Sequence, residues 1–188
     1  MPRTSQAMRW PLVVLACSTC VAAAARARGH GVATTPPDET VTPAATPANF
    51  TGVWDCDCSE NLKPFLRAIG YNWFIVEMAT LAQATQTIEQ NGNNFTFRFE
   101  SFPAMTPPRT TTFQLGDEEV PMKDDGGRDM VLMRPTWDGA ALVADMRYVD
   151  PPHALVSRRY IDEQGVMVEY LHFPARNESL TRYWNKRV

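Results

Sequence analysis

The carboxy-terminal stretch ESLTRYWNKRV holds the residue with the strongest chemical consequence. In strand alternation Leu180, Arg182 and Trp184 share one face, and Thr181, Tyr183 and Asn185 share the other. An arginine between Leu and Trp therefore sits on the face that should be buried. A buried guanidinium is costly unless an anion meets it. An internal carboxylate such as Glu169 or Asp145 is one solution, and an anionic guest in an interior cavity is the other. Other reactive side chains are sparse. Cys56 and Cys58 stand two apart in WDCDCSEN, which on a strand puts both on one face, too strained for a mutual bridge. They read as two free small residues, with a bond to another chain as the alternative. A metal would need more soft ligands than His153 and His172 supply. The sequence has no Ser/His/Asp arrangement, nucleophile elbow or metal-ligand spacing, so it reads as a non-enzyme with no cofactor and no metal.

The chain that must position these residues has 188 residues, a one-domain length, with 18 Lys+Arg against 21 Asp+Glu. That balance offers no basic surface for nucleic acid. Residues 1–27 read as a secretory signal peptide: Arg3 and Arg9, the uncharged run WPLVVLACSTCVAAAA, then small residues at Ala25 and Ala27. The run is short for a membrane span. A mitochondrial transit peptide is the rival reading, since no acid precedes Asp38. Residues 28–47, rich in Pro and Thr, read as a disordered linker. Secretion is thus the expected localisation, with a mitochondrial or other organelle, or the cytoplasm, as alternatives. Asn49-Phe-Thr, Asn94-Phe-Thr and Asn177-Glu-Ser are candidate N-glycosylation sites.

Residues 48–188 are long enough for one core. In SENLKPFLRAIG, Leu62, Phe65, Leu66 and Ile69 recur at helical spacing, with Ser59 as candidate cap, Pro64 in the first turn and Gly70 as the stop. WFIVEMATLA supplies a second short helix. Thereafter every segment reads as a strand, and Asn91-Gly92 marks a hairpin between TQTIEQ and NFTFRFES. Further turn signals at Gly116, Gly126, Gly139, Pro151, Gly165 and Arg176 divide the remainder. With TGVWDCD before the helices there are ten candidate strands. Such a meander closes into a barrel, which removes its edges and encloses a cavity.

The segment from Asn49 to Ser101 resembles the opening of the fatty-acid-binding protein family. Its marks here are Phe50, Gly52, Trp54, Ser59-Glu60-Asn61-Leu62 and the Asn91-Gly92 turn, followed later by TFQLG, the WDG at Trp137, GVMVEY and LTRYW. The resemblance covers about Asn49 to Val188. It implies an all-β fold, a ten-stranded antiparallel up-and-down β-barrel closed by a short helix-turn-helix lid. It also implies a carboxylate clamp of two arginines and a tyrosine. Arg182 matches one arginine and Arg159 the other, with Arg158 as the adjacent alternative. Trp184 stands where the family has its tyrosine; an indole donates one hydrogen bond and cannot accept. Phe65, Leu66, Met78 and Phe102 match positions lining the portal or cavity, and FPAMTPPRT is longer than the usual family turn. Trp54 and the Phe95, Phe97, Phe99 stripe read as packing.

The expected function is non-covalent binding and transport of long-chain fatty acids or related anionic lipids in a barrel cavity. The expected chain is a monomer whose helical lid makes transient membrane contact. Two alternatives stand beside it: a lipocalin-like carrier of a neutral ligand, and a lipid-independent structural or interaction module.

Overall fold

A computed structural model describes residues 46–102, 108–116, 118–123, 129–149 and 152–188. The segment 1–27, nearly all of the 28–47 linker and the middle of FPAMTPPRT lie outside them. The elements run β1 (Gly52–Glu60), α1 (Leu62–Ala68), α2 (Trp73–Leu81), β2 (Gln83–Asn91), β3 (Asn94–Phe102), β4 (Arg109–Gln114) and β5 (Val120–Lys123). They continue with β6 (Asp129–Asp138), β7 (Ala141–Tyr148), β8 (His153–Ile161), β9 (Met167–Phe173), a 3₁₀ turn (Pro174–Arg176) and β10 (Glu178–Lys186). The ten strands form one antiparallel sheet in the order β4-β3-β2-β1-β10-β9-β8-β7-β6-β5. Pairing of β1 with β10 joins the first and last strands and curls the meander into a barrel.

Closure stops one ladder short. Among the described residues β4 and β5 end the order and are not paired with each other, so the expectation that every edge disappears is corrected. β5 has four residues, and Pro121 among them has no N–H to offer a neighbouring strand.

Two further expectations shift for reasons of backbone geometry. The β2–β3 pairing matches Asn91 with Asn94, so the two-residue loop is Gly92-Asn93. Gly92 at φ 58° supplies the positive angle that the first loop position demands. Ser59 does not cap α1, because β1 continues through Glu60. Asn61 takes the N-cap place in the left-handed region, φ 64°, and its side-chain amide donates to the Ser179 carbonyl at 2.6 Å. Asn72 caps α2 as its side chain accepts from the Ile75 N–H at 3.0 Å.

The core has two halves. At the base, Trp54, fully buried with Phe50, Ile88, Phe95 and Trp184, donates its indole N–H to the Phe50 carbonyl at 2.8 Å. Under the lid, Leu62, Phe65 and Leu66 of α1 and Val76 of α2 meet Leu171 and Leu180. Lys63 Nζ lies 2.6 Å from Glu77 Oε2 and ties the two helices together.

In β1 the register slips between Cys56, opposite Trp184, and Cys58, opposite Tyr183. Asp57 is the extra residue of a β-bulge, which turns Cys58 to the outer face with Tyr183. The two cysteines therefore do not share a face, and Cys56 is disulfide-bonded, correcting the reading of two free thiols in a regular strand.

Candidate functional site

Strand register builds the site. Arg182 on β10 lies opposite Glu169 on β9, and Glu169 lies opposite Arg159 on β8. Cross-strand neighbours on one face have Cβ atoms about 5 Å apart. Three consecutive strands thus put arginine, glutamate and arginine in one row on the cavity wall. The row toward the base carries Trp184, Met167 and Ile161, and the row toward the lid carries Leu180, Leu171 and Ser157. The charged row is accordingly held between largely apolar ones.

Within the row the contacts are close. Arg159 donates to Glu169 Oε1 through Nε at 3.1 Å and Nη2 at 2.5 Å. Arg182 Nε stands 3.0 Å from Glu169 Oε2 without the alignment of a hydrogen bond. Side-chain exposure is 1% for Arg182, 2% for Glu169 and 15% for Arg159. The Arg182 guanidinium lies over Trp184 at 5.4 Å and that of Arg159 over Phe97 at 4.7 Å. Arg182 Nε and Nη1 are buried with no hydrogen-bond partner among the described residues. Arg158 points outward to pair with Asp138, which decides between the two adjacent arginines of β8 for the inward place. Asp145, the other candidate internal carboxylate, is exposed opposite Arg134 on the outer face.

The electrostatics are unequal between the partners. Burial raises the Glu169 pKa, but the charges of Arg159 and Arg182 outweigh it and hold the carboxyl below its usual range. Burial lowers the Arg182 pKa, and one shared carboxylate does not restore it. A guanidinium still remains cationic throughout the accessible range. Glu169 therefore contributes stability above its ordinary unfolded value, about 4.3, and loses that contribution as pH falls through the depressed folded value. Unfolding measured from pH 6 downward is expected to show a steeper acid loss for wild type below pH ~4 than for Glu169→Gln. Parallel curves would show that the carboxylate is not ionised in this row.

The remaining expected site residues are placed as follows. Trp184 is fully buried in the base cluster behind the charged row; its indole N–H favours the Glu169 anion without an aligned hydrogen bond. Phe65 and Leu66 belong to the core beneath the lid, Met78 is half-buried on α2, and Phe102 is 77% exposed at the end of β3. The cavity wall instead recruits Phe97 and Phe99, read from sequence as packing, with Phe113, Met122 and Met133. Tyr148 is a further wall residue that sequence reasoning missed. Burial pushes its phenol up to about 12 while the nearby Arg182 charge opposes that rise. The signal was available in β7, where Leu142, Ala144, Met146 and Tyr148 alternate onto one face.

A cavity with a partly apolar wall, arginines at one side and a helical lid can hold an amphipathic anion, head to the row and tail along the aromatics. Known proteins resemble the chain in sequence and in fold. The chain is 28% identical to fatty acid-binding protein homolog 3 of Caenorhabditis elegans over 75% of its own length and 83% of the relative's. It is 27% identical to homolog 4 over 77% of itself and 97% of that protein. A Schistosoma mansoni fatty acid binding protein, solved in complex with arachidonic acid, superposes with a TM-score of 0.60 at 22% identity, covering 74% of this chain and 96% of that one. The fold is the one these lipid-binding barrels share. No family model matches the chain.

Proposed function

We propose that the protein binds and carries long-chain fatty acids or related anionic lipids, reversibly and without covalent change, inside the barrel. The observation that carries this reading is Arg182: a guanidinium 1% exposed, facing the cavity, with two N–H-bearing atoms unpartnered. Burial of the acyl chain at ~0.8 kcal/mol per methylene drives binding, and the arginines orient the headgroup and select acids over neutral lipids. The relatives named fatty acid-binding proteins support the ligand class. Titration of the delipidated full chain with an environment-sensitive fatty acid, then competition with oleate and with retinol, tests the proposal. Saturable one-to-one binding displaced by oleate supports it. A folded chain that binds neither defeats it in favour of a structural module, and displacement by retinol alone points to a neutral ligand.

The same reading extends to delivery and location. Trp73 and Phe74 open α2 and Leu81 closes it, all largely exposed, and Phe102 lies near through its register with Gln83. Such a patch suits brief insertion of the lid into a bilayer interface by a monomeric carrier. Trp73→Ser/Phe74→Ser is expected to slow fatty-acid transfer to phosphatidylcholine–phosphatidylserine vesicles by about tenfold, at unchanged ligand affinity, an estimate of ~1.4 kcal/mol from losing the partial bilayer burial of two exposed aromatics. A transfer rate independent of both the substitutions and vesicle concentration would refute lid contact. Processing after Ala27 and export are part of the proposal, and Asn49, Asn94 and Asn177, all exposed, are its candidate glycan positions. Amino-terminal sequencing of the exported chain, with and without glycosidase treatment, checks both.

A further inference from the structure

We infer that Glu169 is a built-in counter-ion that sets the headgroup site at one net positive charge, so that the barrel selects a monoanionic headgroup over both dianionic and neutral ones. This rests on the lipid-binding reading and deepens it. Arg182, Glu169 and Arg159 form one cross-strand row, and both cations reach the same carboxylate, at 3.0 Å and 2.5 Å. Within the row, two guanidiniums and one carboxylate leave an excess of one positive charge; Arg109, also on the cavity wall, stands on β4, outside the row. A net buried charge is expensive, and a single carboxylate head neutralises it. A dianion overshoots to net negative, and a neutral head leaves the excess in place.

The geometry divides the roles within the row. Arg159 spends two donors on Glu169 Oε1. Arg182 is deeper, and its Nε and Nη1 have no aligned partner. Arg182 is therefore the donor a headgroup meets, and Glu169 with Arg159 is the neutral pair beside it. Tyr148, on the same wall and within reach of the Arg182 field, adds a neutral phenol and no charge. Glu169 acts as a specificity-determining residue by fixing the charge that Arg182 presents.

The test is a charge series on the full delipidated chain, read by displacement of one fluorescent fatty acid at pH 8. Three ligands share a 16-carbon chain and differ only in the head: hexadecanol, palmitate and hexadecyl phosphate, the last mostly dianionic there because its second pKa is about 6. Wild type is expected to bind palmitate at least ~10-fold more tightly than either other ligand, about 1.4 kcal/mol, because each mismatch leaves a buried charge uncompensated. Glu169→Gln raises the site to two net charges and is expected to shift the palmitate-to-phosphate ratio at least ~10-fold toward the phosphate. Arg159→Gln lowers the site to zero and is expected to shift the palmitate-to-hexadecanol ratio by a similar factor toward the alcohol. If Glu169→Gln fails to fold, Arg159→Gln alone decides, because it leaves a neutral Arg182–Glu169 pair. Ratios that stay at wild-type values in the folded variants overturn the counter-ion while leaving a lipid carrier. Failure of wild type to bind any of the three overturns the carrier and the counter-ion together.

Discussion

Arg182→Met is expected to weaken oleate binding roughly 10- to 150-fold while leaving the barrel as stable as before, or more stable. The two effects separate because the arginine is a poor structural residue and a good ligand residue. Its desolvation costs several kcal/mol, and the carboxylate it approaches is already engaged by Arg159 through two contacts. Methionine fills a similar volume against Trp184 with no charge; removing one partner of a buried pair is costly where it orphans the other, and here Glu169 keeps both contacts from Arg159. Binding loses a charge-assisted hydrogen bond, worth about 1.5–3 kcal/mol, which gives the stated range in affinity. Denaturant unfolding and ligand titration on the same preparation decide the matter. If affinity and stability fall together, Arg182 is a structural half of an ion pair and the headgroup lies elsewhere.

How far the sequence leads to this site follows from what alternation does and does not encode. The inward face of β10 is legible because Leu180, Arg182 and Trp184 keep a period of two without interruption. The same period on β8 puts Arg159 with Leu155 and Ser157 and sends Arg158 outward, as the structure has it. Alternation also marks Glu169 as inward, between Met167 and Leu171. It cannot say what Glu169 faces, because a cross-strand neighbour depends on the register of two turns, at Gly165 and Asn177, and a shift of one residue would flip the face. Glu169 and Asp145 are both candidate internal carboxylates by type, and alternation on β7, with Ala144 and Tyr148 inward, sends Asp145 to the outer face. The bulge at Asp57 was illegible for a related reason: one extra residue leaves the composition of a strand unchanged while it reverses every later side chain. The position two residues after Arg182 holds Trp184 and not the tyrosine that the family resemblance implies. The phenol near Arg182 comes from β7, an element far away in sequence, and only the closed sheet brings the two together.

Trp54→Ala is expected to be the most damaging single change for folding, lowering stability by about 3–5 kcal/mol from lost burial and the cavity left behind. Trp54 is 1% exposed at the barrel base, among Phe50, Ile88, Phe95 and Trp184. Its indole N–H also satisfies the Phe50 carbonyl at 2.8 Å, and orphaning that buried acceptor adds about 1–3 kcal/mol. Gly52, two residues before, sits at φ 148°, and a side chain there would be strained and would press on Lys186. Against a typical reserve of 5–15 kcal/mol, a loss of this size lowers the thermal midpoint by on the order of 10 °C. Trp54→Phe separates the two contributions, since it keeps most of the apolar contact and removes only the donor. It is expected to cost about 1–3 kcal/mol. The site offers an internal control, because Trp54 is remote in register from the charged row: β1 meets that row at Ser59, opposite Arg182, beyond the bulge. Whatever fraction of Trp54→Phe is folded should therefore bind oleate with wild-type affinity. A weakened affinity in the folded fraction would mean that the base of the barrel and the headgroup row are mechanically coupled through Trp184, which touches both.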